Sequence, residues 1–418
     1  MTAPKLSASP RTFEVSCRPE GPGRVVMELS DGARDWRLFF DAGEHLLQPG
    51  LEACLATVLV PAMASGAAVR LHGVARPGFS ERLDALRSAY CRIHQELRPI
   101  QVTLVSPQPA DVSHLEATEA PGLVCRAGRG EDRRVASFFS GGVDSFYTLL
   151  KHRQILTDLV LIYGFDIALD DHELLEKTSR MAHRVASELG KRLLEVRTNV
   201  RSFLDAQVDW GRLSHGPALA AVGLLLAPAC PRLFIASSYA LAQVGPWGSH
   251  PELDPLWSTD RTEFVHDGTE ATRWQKTERI ATWRLALESL RVCHQGRPGE
   301  YNCGRCESCL VLTIALKSLG VLGQCRTLPC EPDLRRVRRL FFPSSGRHFY
   351  AGELVGQMTA QGMLPEVRAC LARALFRPRW EQSLLDSWAA FLRLVKRVAT
   401  CSPWLWGQFQ RLKWYVRG

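Results

Sequence analysis

The chain lacks any stretch long and apolar enough to read as a membrane span. Its longest uncharged runs are broken by proline: the one between Glu52 and Arg70 at Pro61, and Gly216–Pro231 at Pro217 and Pro228. A span needs roughly 20 apolar residues. The opening residues, MTAPKLSASPRTFEV, contain no apolar leader core, so a cytoplasmic protein with no membrane partner is expected. A disulfide framework is also missing, because the 13 cysteines are odd in number and scattered over 418 residues. Cysteines that do cluster are therefore metal ligands or catalysts. There is no internal repeat. The composition, 46 % hydrophobic and 23 % charged, excludes a disordered, collagen-like or coiled-coil chain.

Lysine is scarce, at eight against 44 arginines, and the net charge is +9. From Glu331 to Gly418 there are 15 basic and 6 acidic residues, while the first 330 residues balance. Any electrostatic footprint lies in the last fifth of the chain, where nucleic-acid binding is possible but a solvated basic face is favoured.

Three regions follow from composition and periodicity. Residues 1–130 read as an N-terminal α+β domain. Thr12–Ser16, Arg24–Leu29 and Trp36–Phe40 alternate as strands, Leu51–Met63 and Phe79–Glu96 have helical spacing, and Val69–Leu71 and Ile100–Leu104 are short strands. Glu116–Asp132 reads as a linker. In residues 131–330, strands at Val135–Phe139, Leu159–Tyr163, Arg192–Arg197 and Leu233–Ala236 alternate with helical segments. That pattern predicts an α/β fold with a Rossmann-like parallel sheet, whose ligands sit at the carboxyl ends of the strands. The polar, proline-containing Gln243–Arg273 reads as a loop or lid. Thr277–Ser289 and Ser308–Leu319 read as helices. Residues 331–418 form a basic, helical C-terminal region carrying five of the eleven tryptophans. A stripe of Leu384, Leu385, Trp388, Phe391, Leu392 and Val395 there wants a partner surface, with the N-terminal domain the first expectation.

The sharpest motif is Ser140-Gly141-Gly142-Val143-Asp144-Ser145, directly after a strand. Two glycines allow a tight turn that aims backbone N–H groups at a ligand, and the following helix adds its own unpaired amides and dipole. Ser140 and Ser145 offer hydroxyls to phosphate oxygens. Asp144 suits a helix cap or a ligand for Mg²⁺ bridging phosphates. The loop has no lysine of the G-x-x-x-x-G-K-[ST] type, which disfavours an ordinary P-loop NTPase. A second cluster, Cys293-x9-Cys303-x2-Cys306-x2-Cys309, fits a structural tetrahedral Zn²⁺ site, with an iron–sulfur cluster as chemical rival and His294 as a spare ligand.

S-G-G-x-D-S after the first strand resembles the N-type ATP pyrophosphatases, the PP-loop (HUP-type) superfamily. The late cysteine group, with Lys276-Thr277-Glu278 before it, resembles the 7-cyano-7-deazaguanine synthase branch. The resemblance covers roughly Arg133–Leu328. It implies binding of ATP and Mg²⁺ by residues 140–145, attack of a substrate oxygen on the α-phosphorus, and departure of pyrophosphate. An amine or ammonia then completes a C–N bond, as in a ligase acting on 7-carboxy-7-deazaguanine. Divergent relatives in antiphage defence join a deazaguanine to a partner protein. Ser140, Asp144, Ser145 and Lys276 are the expected catalytic residues. The end of the second strand, Gly164 with Asp166, is the expected place for adenosine. Ser214–Pro217 departs from the branch pattern where substrate should bind, which leaves a different deazapurine-like acid open as the substrate. Asp254, Asp260, His266 and Asp267 are the candidate substrate or Mg²⁺ contacts. The rivals are a tRNA-thiolating enzyme of the same superfamily and a scaffold that has lost the chemistry.

Overall fold

A computed structural model describes residues 11–106, 134–227, 229–342 and 345–377, together with 384, 387, 391 and 395. Within them lie ten strands and twelve α-helices. The expected linker Glu116–Asp132 and the stripe residues Leu385, Trp388 and Leu392 fall outside these residues.

The N-terminal strands are β1 (Thr12–Pro19), β2 (Arg24–Ser30), β3 (Asp35–Asp41), β4 (Ala68–His72) and β5 (Val102–Val105), with helices α1 (Leu51–Ser65) and α2 (Phe79–Ile93). Alternation in β1 buries Phe13 and Val15 and leaves Glu14 and Ser16 outside the core. The second set is β6 (Val135–Phe138), β7 (Asp158–Tyr163), β8 (Arg192–Thr198), β9 (Arg232–Ala236) and β10 (Glu263–Asp267). These five are mutually parallel, and all four residues of β6 are buried.

All ten strands form one mostly parallel sheet, in the order β10-β9-β6-β7-β8-β3-β2-β1-β4-β5. The join is the antiparallel pairing of β3 with β8 at Phe40–Thr198 and Asp41–Arg197. Asn199 prolongs it, accepting from the Phe39 N–H (2.8 Å) and donating to the Arg37 carbonyl (3.0 Å). Helix α1 is buried from Leu51 to Met63 because it packs on the N-terminal strands and on α6 (His215–Leu225). One apolar core thus spans the two units that composition separates at residue 130.

Helices α3 (Val143–His152), α4 (His172–Glu188) and α5 (Val200–Gln207) follow β6, β7 and β8. The chain then crosses the sheet to β9 and β10. The strand order therefore reverses between β6 and β9, and the crevice at their carboxyl ends is the ligand position of a doubly wound sheet. The expected long loop Gln243–Arg273 is not structureless: it contains β10 and buries Leu253, Asp254 and Trp257. Its polar sequence hid an edge strand, because only one side of β10 is paired. The helix expected at Thr277–Ser289 is divided into α7 (Arg273–Ala281) and α8 (Arg284–Ser289) by the extended residue Trp283.

Helix α9 (Glu307–Ser318) precedes α10 (Leu334–Val337), α11 (Ser345–Ala360) and α12 (Pro365–Leu375). In this region Ala351, Leu354, Met358 and Leu371 close a third core with Trp274, Leu310 and Ile314. The described C-terminal helices therefore seat on α7 and α9, and the partner expected for the Leu384–Val395 stripe is a matter outside the described residues. No helix among the described residues is long and apolar enough to cross a membrane.

Candidate functional site

Gly141 turns the chain out of β6 with φ of 76°, a left-handed conformation that favours glycine. A Cβ there would lie 2.7 Å from Met181 Cε. The Gly141 carbonyl accepts from the Arg291 N–H at 2.8 Å, fixing the loop against the cysteine segment. Helix α3 starts at Val143, so its first amides have no carbonyl to reach within the helix and face the loop. Ser140 Oγ lies 3.4 Å from the Gly142 nitrogen, whereas Ser145 Oγ donates to the Gly142 carbonyl at 3.0 Å.

A capping box begins α7: Thr272 Oγ1 accepts from the Gln275 N–H, and Gln275 Oε1 accepts from the Thr272 N–H. This start sets the helix phase and delivers two cations to the loop. Arg273 Nη2 lies 2.7 Å from Asp144 Oδ2, and Lys276 Nζ lies 3.6 Å from Oδ1. Lys276 is fully buried and also donates to the Ser237 carbonyl just past β9, at 2.7 Å. Burial pulls the Lys276 ammonium below its ordinary pKa, partly offset by Asp144. Asp144 Oδ1 is buried with no hydrogen-bond partner. This oxygen, which faces the Lys276 ammonium at 3.6 Å, is a suitable ligand for Mg²⁺ once phosphates offset the two cations.

At the end of β7, Gly164 has φ of 94°, and a Cβ would meet the Thr198 carbonyl oxygen at 1.7 Å. Asp166 lies 3.8 Å from Arg201 Nη1 and 3.9 Å from His294 Nδ1. Burial pushes its carboxyl up, but the charges of His294, Arg201 and Arg291 outweigh this and hold it below the usual carboxylate range. Half-buried rings follow along the chain from there: Trp210 packs edge-on to Phe165 (4.9 Å), the neighbour of Asp166 in sequence, and Trp247 lies 5.7 Å from His215 and 5.8 Å from Tyr239.

Of the four loop-segment candidates, Asp254 and His266 are brought together, while Asp260 and Asp267 have other partners. Asp254 is buried and accepts from Ser249 Oγ (2.6 Å), with His266 Nδ1 at 2.7 Å. Asp267 is buried against α3, taking Thr148 Oγ1, Lys151 Nζ and His152 Nε2 at 2.7–2.9 Å. Asp260 is exposed, 3.9 Å from Arg76. Asp254, His266 and Asp267 thus have partners within the segment or on α3.

Cys293, Cys303, Cys306 and Cys309 place their Sγ atoms within 4.8 Å of one another, with Cys293 and Cys306 3.8 Å apart. Tetrahedral Zn–S bonds of about 2.3 Å put neighbouring sulfurs about 3.8 Å apart, so the donors fit one ion such as zinc. Four irons would spread the thiolates further. His294 stands outside the group, toward Asp166.

Sequence reasoning missed Arg273, Arg291 and Tyr350. Arg291 is buried, its Nη2 donates to the Cys293 carbonyl (3.2 Å), and its Nε has no partner. Tyr350 from α11 lies 3.2 Å from Thr277 Oγ1 and under the Arg273 guanidinium, and burial pushes its hydroxyl up to about 12. Only the cysteine neighbourhood of Arg291 was a signal, and a weak one. No family model, curated protein or solved structure matched the chain in comparison.

Proposed function

We propose that the chain is a PP-loop ATP pyrophosphatase that adenylates the carboxylate of a deazapurine-like acid and passes the acyl group to an amine. The observation that carries this reading is the loop Ser140–Ser145 at the switch point, flanked by Lys276, Arg273 and Arg291. Arg273 and Lys276 face Asp144, and the N–H of the buried Arg291 meets the Gly141 carbonyl, so basic groups border the loop where a triphosphate would lie. A carboxylate oxygen of the substrate attacks the α-phosphorus, the bond to the β-phosphate oxygen breaks, and pyrophosphate leaves. The amine nitrogen then attacks the acyl carbon, AMP departs with the bonding pair, and the nitrogen loses a proton. Mg²⁺, held by Asp144 and the phosphates, would neutralise charge on the leaving pyrophosphate. Lys276 and Arg273 hold Asp144, and the α3 amides orient the phosphates.

The half-buried Trp210, Trp247 and Tyr239 support a flat heterocyclic substrate, since such rings stack on planar groups. His215 among them is held below its ordinary pKa by burial, so it is neutral near pH 7 and serves as a hydrogen-bonding group. The acceptor amine is ammonia or a partner protein. Incubation with ATP, Mg²⁺, 7-carboxy-7-deazaguanine and ammonia tests the reading by phosphorus NMR. Pyrophosphate and AMP are expected, and Asp144→Ala should abolish both. Formation of ADP and phosphate would sink the assignment.

A further inference from the structure

A second basic site lies apart from the phosphate loop. Arg335, Arg338, Arg339, Arg373 and Arg377 line one cleft of about 350 Å³ between α10 and the end of α12. Arg377 is fixed, with Nη2 donating to the carbonyls of Arg338 (3.0 Å) and Leu340 (2.9 Å). That bond ties the end of α12 to the turn after α10. Beneath the cleft, Val337 and Leu371 are fully buried, so the arginines stand on packed elements. Among the described residues, no carboxylate lies within ion-pair distance of the side chains of Arg335, Arg338, Arg339 or Arg373.

We propose that this cleft binds a compact oligophosphate, such as inorganic tripolyphosphate or the triphosphate group of a nucleotide. Like charges converging on one cavity repel, and an anion with several charges removes that cost. Guanidinium forks match phosphate oxygens two at a time. The volume falls in the roughly 300–1,000 Å³ range of small-molecule sites. Single-stranded nucleic acid is disfavoured. Its sites are grooves that track the backbone and carry aromatic platforms, whereas these cations converge on one cavity whose described lining is arginine alone.

Calorimetric titration of the full chain with inorganic tripolyphosphate tests this. Gly141→Ala, which weakens binding at the phosphate loop, serves as the background against which the arginine substitutions are read. One tripolyphosphate per chain should still bind in that background. Binding should weaken at least tenfold when Arg339→Glu and Arg373→Glu are added, with an unchanged ligand-free melting temperature. Should that combination fail to fold, Arg373→Gln alone decides, with about threefold weakening expected. ATP and GTP competing equally with tripolyphosphate supports recognition of the triphosphate, whereas competition by one nucleotide only overturns it. Two other results overturn the proposal: binding unaffected by the arginine substitutions, or RNA bound through these arginines and not displaced by excess tripolyphosphate. None of these readouts depends on the adenylation reading, whose own test is pyrophosphate release.

Discussion

The Lys276 ammonium lies 3.6 Å from Asp144 Oδ1 and 2.7 Å from the Ser237 carbonyl oxygen, fully buried. One side chain thereby connects α7, the loop after β6 and the end of β9. An isolated buried cation is costly, and the carboxylate and carbonyl offset that cost only in this arrangement. Lys276→Met should lower pyrophosphate release at least 100-fold. Asp144 keeps Arg273 at 2.7 Å, so the melting temperature should move by only a few degrees. Full activity in a folded Lys276→Met protein would remove Lys276 from the machinery.

Gly141 and Gly164 both have positive φ but meet different neighbours. An alanine Cβ at 141 strikes the end of flexible Met181, while at 164 it strikes the Thr198 backbone oxygen. Gly141→Ala should fold, losing about 1–2 kcal/mol to the left-handed backbone, and bind ATP more weakly. Gly164→Ala should be insoluble or lose several times more stability. Denaturant melts of the two proteins, side by side, check the order.

Asp267 joins β10 to α3. Burial raises its pKa, but the hydrogen bonds from Lys151, His152 and Thr148 together outweigh burial and hold it low. Its stabilising contribution is therefore present above the unfolded value of about 3.9 and is lost as pH falls through the lower folded value. Asp267→Asn should cost about 2 kcal/mol at pH 7. The gap between wild type and variant should close below pH 4 in urea melts. A gap that persists unchanged at pH 2 would contradict this.

The four thiolates should hold one zinc per chain. Structural zinc contributes roughly 10 kcal/mol or more of binding free energy in small zinc-finger peptides. Cys306→Ser should give metal-free or insoluble protein, and elemental analysis of wild type should read one zinc. Iron with a visible absorption band after anaerobic purification would replace zinc as the occupant.

Tyr350 and Glu353 of α11 touch Thr277 and Thr272 of α7, the second pair at 2.5 Å between Thr272 Oγ1 and Glu353 Oε1. Truncation after Pro332 removes these contacts and uncovers Leu310, Val311 and Ile314. Fully exposing such side chains costs roughly 1.5–3 kcal/mol each. The truncated chain should aggregate or lose ATP cleavage. A soluble truncated protein with full activity would show that the region is only an attachment.

Local physics made part of this molecule legible in its residues. The Gly-Gly turn and the helix start need no distant partner, so Ser140–Ser145 was readable as a strand–loop–helix. Most strands were visible in short apolar runs for the same reason, and the cysteine spacing placed four thiols within reach of one ion. What tertiary structure alone decided depends on partners far along the chain. The charged, polar stretch Glu263–Asp267 becomes a strand because β9 offers a ladder to it. Residues 12–105 share a sheet with residues 135–267 because β3 finds β8 and α1 finds α6. Lys276 had no burial signal of its own, since a helix face becomes an interior only when another element covers it. The arginine cleft has the same origin: residues separated along the chain converge because Val337 and Leu371 share a core, and charge composition carries no information about such convergence.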